Sequence, residues 1–193
     1  DSAIDQACEE ILMSSGLYDE AYQRYGLSAA QGNSYLARFR ALAKRYPMRN
    51  ASEILADLIA TTPGDEGKWF ATAKELELYE LALDLANRSP CDPKTLARAA
   101  RDNLDSAPEF ALGSALAALR WLSEGWGYEM TSVDVMEAYD RAMDAATRLN
   151  KAEDVTGQIR QFVEANDNGA RQFVRQALQG RMRVGGDDDC PVT

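Results

Sequence analysis

A chain of 193 residues with 46% hydrophobic and 27% charged residues has ample apolar material for a core and too little charge for global disorder. Its 31 acidic and 21 basic residues leave a net charge of −10, which disfavours general binding to nucleic acid or an anionic membrane, since such affinity comes from Lys and Arg neutralising phosphates. There is no histidine, so imidazole is excluded as base or metal ligand; Cys8, Cys91 and Cys190 form no CxxC pair, so no disulfide framework, zinc site or cofactor is expected.

Apolar residues recur at helical spacing almost throughout, and alternating strand-like runs are absent. Ile4, Ala7, Cys8, Ile11 and Leu12 predict a first helix ended by Gly16. Leu17, Tyr18, Ala21, Tyr22 and Tyr25 predict a short second helix stopped by Gly26. Asn33 or Ser34 can cap a third, which carries Leu36, Phe39, Ala43 and Tyr46 and stops before Pro47. Asn50 or Ser52 can open a fourth, with Ile54, Leu55, Leu58 and Ile59, ending near Thr61-Thr62-Pro63-Gly64. Further helices are predicted near 65–76, 78–88, 93–105, 108–124, 131–148, 151–165 and 169–180, with Pro93 and Pro108 in first turns, where the missing N–H costs nothing. The tail from 184 to 193, with Asp187-Asp188-Asp189, repels itself and is expected to be disordered.

The chain also resembles itself. Leu17-Tyr18-Asp19-Glu20-Ala21 returns as Leu78-Tyr79-Glu80-Leu81-Ala82, 61 residues on, and Pro47 and Pro108 share that shift. Leu36-Ala37-Arg38 returns as Leu96-Ala97-Arg98 with a one-residue gap. The expectation is an all-α domain over residues 1–183, with units of about 2–62, 63–125 and 126–183. Its ten or eleven short helices would stack as antiparallel hairpins, each burying an apolar stripe against the next. The segment Leu17-Tyr18-Asp19-Glu20-Ala21-Tyr22 resembles the second half of a tetratricopeptide hairpin. The period near 61 and the missing Trp–Leu–Gly–Tyr opening depart from that family, so the likeness concerns architecture alone.

A second resemblance rests on Thr61-Thr62-Pro63-Gly64-Asp65-Glu66-Gly67-Lys68-Trp69-Phe70 together with Ala86-Asn87-Arg88-Ser89-Pro90-Cys91-Asp92-Pro93. These stretches look like the helical region of uncharacterised bacterial proteins that carry an N-terminal SWIM-type zinc finger. The likeness spans most of the chain from Leu17 to about Val163 and implies no known activity. The finger's Cys/His motif is missing, so no metal role carries over. The start at Asp1-Ser2, without an initiator Met, is read as that of a domain from a longer protein. No apolar run nears the roughly 18 residues that span a bilayer, and no signal peptide is visible, so a reducing, cytoplasmic setting is expected.

Charge is segregated more than the net value suggests. Residues 35–49 hold Arg38, Arg40, Lys44, Arg45 and Arg49 without an acid, and 93–101 hold Lys94, Arg98 and Arg101, again without one. Both stretches are the same helix of the proposed repeat. Arg38, Arg45, Arg98 and Arg101 are therefore candidate partner-binding residues for an acidic peptide or phosphorylated ligand, because a guanidinium offers a planar fork to carboxylate or phosphate. The plainer alternative is that they pair with acids on neighbouring helices. Trp126, in Gly125-Trp126-Gly127, is a candidate interface anchor, the alternative being a plug between repeat units. Of the other aromatics, Trp121 reads as core.

No residues form a catalytic team. Gly64-Asp65-Glu66-Gly67-Lys68 lacks the spacing, preceding strand and following Ser or Thr of a phosphate loop. The pairs Glu9-Glu10 and Glu75/Glu77 do not share a helical face. The leading expectation is a non-enzymatic interaction module for a protein or acidic peptide. An accessory domain of a nucleic-acid-associated protein comes second, and a carboxylate–metal enzyme assembled from distant helices third.

Overall fold

A computed structural model describes residues 2–165 and 168–182. The acidic tail expected at 184–193, including Cys190, lies outside the described residues. Within them the chain is all-α, with no strand and eleven helices when continuous segments are joined. It divides into two compact units, Asp1–Ser89 and Pro90–Thr193, so the division falls at neither of the unit boundaries expected near 62 and 125.

In the first unit, α1 (Ser2–Ser14) ends where Gly16 adopts φ 77°, which lets Leu17 N–H reach back to Leu12 O at 2.9 Å. The expected apolar stripe of α1 does not face inward, however. Ile4 and Ile11 are exposed and Glu9 is the buried position, because the partners of that carboxylate lie on the third helix. Helix α2 runs over 18–29 and contains a π turn, Tyr22–Gly26. Gly26 was expected to stop this helix and does not: its φ is −53°, ordinary helical backbone. What it supplies is space, since a Cβ there would stand 3.2 Å from Tyr46 Cε2 and 3.3 Å from Tyr22 Cδ2.

Helix α3 (Tyr35–Arg45) is capped by Ser34, whose hydroxyl accepts from Ala37 N–H at 3.1 Å, and α4 (Ala51–Ala60) by Asn50, which accepts from Ser52 N–H at 2.8 Å. A 3₁₀ turn, Glu66–Trp69, leads into α5 (Phe70–Glu75), and α6 (Tyr79–Arg88) closes the unit. Consecutive helices pack on one another, α1 on α2, α3 on α4 and α5 on α6. The core is Leu42, Ile54, Leu55, Leu58, Trp69, Phe70 and Leu85. Trp69 is fully buried, yet its indole N–H is satisfied by Thr62 Oγ1 at 2.8 Å and its ring meets Tyr35 edge-on at 4.7 Å.

The second unit is built around α8 (Pro108–Ser123), which is apolar on nearly all sides and buries Phe110, Ala111, Ala115, Ala118, Leu119, Trp121 and Leu122. A helix hydrophobic all round must be covered all round. It packs against α7 (Pro93–Asp102) and α9 (Ser132–Arg148), with α10 (Ala152–Glu164) and α11 (Gly169–Leu178) completing the cover. Alanines at 97, 99, 100, 142, 145 and 146 are buried and keep the helices close. Asp92 caps α7 ahead of Pro93 at its first position, and a reciprocal pair of Thr131 and Asp134 caps α9. No helix among the described residues is long and apolar enough to cross a membrane.

Candidate functional site

The acid-free stretches 35–49 and 93–101 lie on and just after α3 and on α7, whose last residue is Asp102, and their surroundings differ. On α3 the guanidinium groups are engaged inside their own unit. Arg38 donates to Leu27 O at 2.7 Å, and Arg40 makes a bidentate pair with Glu75, at 2.9 Å to Oε1 and 2.6 Å to Oε2. Arg45 lies 3.2 Å from Glu9 Oε2 and 3.6 Å from Glu10 Oε1. Arg49 pairs with Asp19 at 3.1 Å and stacks 3.8 Å over the Tyr22 ring. Arg40, Arg45 and Arg49 of this basic stretch are thus paired with acids inside the unit, and Arg38 is held by a carbonyl.

On α7, Lys94, Arg98 and Arg101 follow a spacing of four and three residues, which places them on one face. Leu96, Ala99 and Ala100 are buried on the opposite side. The basic face forms one wall of a cleft of about 250 Å³, with Pro93 and Ala97 beneath and Met130, Asp134 and Glu137 across from it. The acids opposite are partly occupied. Asp134 accepts from Thr131 Oγ1 and N–H, each at 2.7 Å, and Lys94 Nζ stands 3.9 Å from its other oxygen. Burial opposes ionisation of Asp134, but the two Thr131 hydrogen bonds and the Lys94 charge outweigh it and hold the carboxyl below its ordinary range. Arg101 turns to its neighbour Asp102 at 2.8 Å. Arg98 is exposed and, among the described residues, engages no acid, carbonyl or ring.

The loop after α8 borders this cleft. Gly125 and Gly127 adopt φ +85° and +119°, conformations that L side chains rarely enter, and they turn the chain sharply on either side of Trp126. A Cβ on Gly127 would strike Met130 at 2.5 Å and stand 3.5 Å from Pro93 Cδ, so this backbone rests directly on two cleft residues. Trp126 N–H is tied to Trp121 O at 2.9 Å, and its ring meets the buried Trp121 edge-on at 6.4 Å. The indole is nonetheless 50% exposed, and Tyr128 and Val133 in the same stretch are exposed further.

The structure thus brings Arg98 and Arg101 into one cleft, with Trp126 on the loop that rests against two of its residues, Met130 and Pro93. Arg38 and Arg45 belong to the other unit. Sequence reasoning missed the opposing acids, Asp134 and Glu137. The one available signal was the Thr131–Asp134 capping pattern, which locates the start of α9 but not what it faces. Cys91, just ahead of α7, is a buried, packed side chain, and burial followed by the Asp92 charge pushes its thiol up to about 12. Among the described residues no group of three Cys, Asp or Glu side chains is disposed to hold a metal ion. Comparisons with protein-family models, with curated proteins and with solved structures found no match.

Proposed function

We propose that this chain is a protein-interaction module and that the cleft between α7 and α9 receives an acidic peptide segment bearing an apolar side chain. The observation that carries this reading is Arg98, an exposed guanidinium without a partner among the described residues, on the same face as Lys94 and Arg101. A fork free to make a bidentate, charge-assisted hydrogen bond binds a carboxylate without first breaking an internal pair. Trp126, half exposed on the loop whose Gly127 rests on Met130 and Pro93, offers aromatic area near the cleft. Asp134 and Glu137 impose selectivity, because a ligand must place its acids toward α7 and away from α9. The likeness to helical regions that accompany zinc fingers fits an accessory, non-enzymatic role.

The test is titration calorimetry with short Asp/Glu-rich peptides carrying a single Leu or Phe, alongside a single-stranded oligonucleotide. At least one peptide should bind, and Arg98→Glu should weaken it by about tenfold or more, as expected when a charged hydrogen bond of roughly 1.5–3 kcal/mol becomes a repulsion. Arg38→Glu serves as the control in the other unit. Peptides that never bind, or an Arg98→Glu protein that binds as the wild type does, would remove the proposal. Oligonucleotide binding that falls steeply with salt would replace it with a nucleic-acid role.

A further inference from the structure

Helix α1 presents its apolar stripe to solvent. Ile4 and Ile11, about two turns apart on one face, are 61% and 64% exposed, and Ala7 between them is exposed as well. The opposite side of the helix carries the buried Glu9, whose Oε1 accepts from Tyr46 O–H at 2.6 Å and whose Oε2 lies 3.2 Å from Arg45 Nε. A half-turn rotation about the helix axis would bury both isoleucines and return the carboxylate to water, the arrangement that the hydrophobic effect favours for this sequence alone. The Glu9 contacts hold the reverse arrangement. At the C-terminal end of the face, the Ser14 and Ser15 hydroxyls donate to Ile11 O at 2.8 and 2.9 Å and are turned back on their own helix. Leu17 and Tyr18 are exposed too, so the segment from Ile4 to Tyr18 leaves four large apolar side chains open.

The charge around this stripe is of one sign. Helix α1 carries Asp5, Glu9 and Glu10 and no Lys or Arg. By helical spacing, Asp5 and Glu10 flank the stripe, one on each side. Glu10 is largely exposed, and its contact with Arg45 at 3.6 Å is worth little in water. This charge decides the occupant. A second copy would pack α1 on α1. In the antiparallel pairing that sets Ile4 against Ile11 of the second copy, Asp5 meets Glu10, and in the parallel pairing each acid meets itself. Both arrangements repel.

We propose that α1 is a docking face for a basic amphipathic helix of a partner protein. The partner's apolar side chains lie over Ile4 and Ile11, the small Ala7 lets the two helices approach closely, and flanking Lys or Arg side chains reach Asp5 and Glu10. The face belongs to the first unit, takes a partner of the opposite charge to the one proposed for the α7–α9 cleft, and does not depend on that reading.

The experiment is fluorescence anisotropy of the full chain with a labelled helical peptide whose leucines, at helical spacing on one face, are flanked by lysines. Two control peptides replace the lysines with glutamate or the leucines with serine. At about 0.15 M ionic strength, the Lys/Leu peptide should bind saturably and each control about tenfold more weakly or worse. Ile4→Ser combined with Ile11→Ser should weaken binding by about tenfold or more. Both positions are exposed, so the helical spectrum and Tm of that variant should match the wild type. Glu10→Lys should also weaken binding, and it carries the test should the double variant misfold. Arg98→Glu, which probes the α7–α9 cleft, should leave binding unchanged. The proposal fails if the Lys/Leu peptide does not bind, if either control peptide binds as well, or if the α1 variants bind as the wild type does. Sedimentation velocity checks the other occupant: self-association abolished by the Ile4 and Ile11 substitutions would overturn the proposal in favour of a second copy.

Discussion

Tyr46 collects more of the first unit's organisation than any pattern in the sequence indicates. Its hydroxyl donates to Glu9, its ring meets Tyr22 edge-on at 5.0 Å, and Gly26 leaves the space for both rings. In the sequence these are an aromatic near a helix end, an acid next to another acid, and a helix stop. Nothing in the spacing says that they meet, because contact across three helices depends on how those helices are rotated. The same burial has a consequence at alkaline pH. Desolvation, then the hydrogen bonds to Asp57 and Glu9, raise the hydroxyls of Tyr22 and Tyr46 above their ordinary 10.0, and burial raises the Cys91 thiol from 9.0 to about 12. Each group is neutral when protonated and holds its proton more tightly folded than unfolded. Its contribution is therefore complete below the unfolded value and lost as pH rises toward the folded one. Thermal melts at constant ionic strength should show Tm falling from about pH 9 to about pH 12, and Cys91→Ala should lessen the early part of that fall. A Tm that stays flat over this range would contradict the assignment.

At the scale of helices, local chemistry reads well. Ser34, Asn50 and Asp92 begin helices because their oxygens accept the first free N–H groups, and Gly16 ends one because it tolerates a positive φ. These interactions span three or four residues, so they are written directly in the chain. Helix α1 shows where this stops: its position is legible, but its inward face is not, since Glu9 is drawn inward by α3 and leaves Ile4 and Ile11 exposed. The most complete cap is that of α9, where Thr131 and Asp134 satisfy each other's backbone N–H groups. Thr131→Ala should lower stability by roughly 1 kcal/mol, while Thr131→Ser should retain most of it. Urea midpoints would measure this, and equal midpoints for wild type and Thr131→Ala would show that the cap contributes nothing. The basic runs at 35–49 and 93–101 are likewise plain in sequence, but the pairing of the first with Glu9, Asp19 and Glu75 is not.

For the whole molecule, the two units each hold a core of their own, one around Trp69 and Phe70 and the other around α8. Residues 1–89 and 90–193, produced separately, should each retain a helical circular dichroism spectrum and unfold cooperatively, with lower stability than the intact chain because smaller domains bury less of their surface. A coil-like spectrum from either piece would mean that its core is not self-sufficient. The internal resemblance pairs the segment after Gly16 with α6 and α3 with α7, yet the division falls at Ser89–Pro90, after α6. Sequence likeness follows helices one at a time, whereas the division follows how much surface each group of helices shares.

Helical spacing, capping residues and the lack of strand alternation determined the all-α class and most helix boundaries, since those depend on backbone hydrogen bonds closed within a single turn. Charge patterning located the arginine-bearing helices for a similar reason. Only the tertiary structure decided which of those arginines stay unpaired, that Gly26 is a packing position and not a stop, and that Glu9 is buried against Tyr46 and Arg45. Each of these depends on groups far apart in the chain, and their meeting is set by the packing angles of helices, on which no local pattern bears.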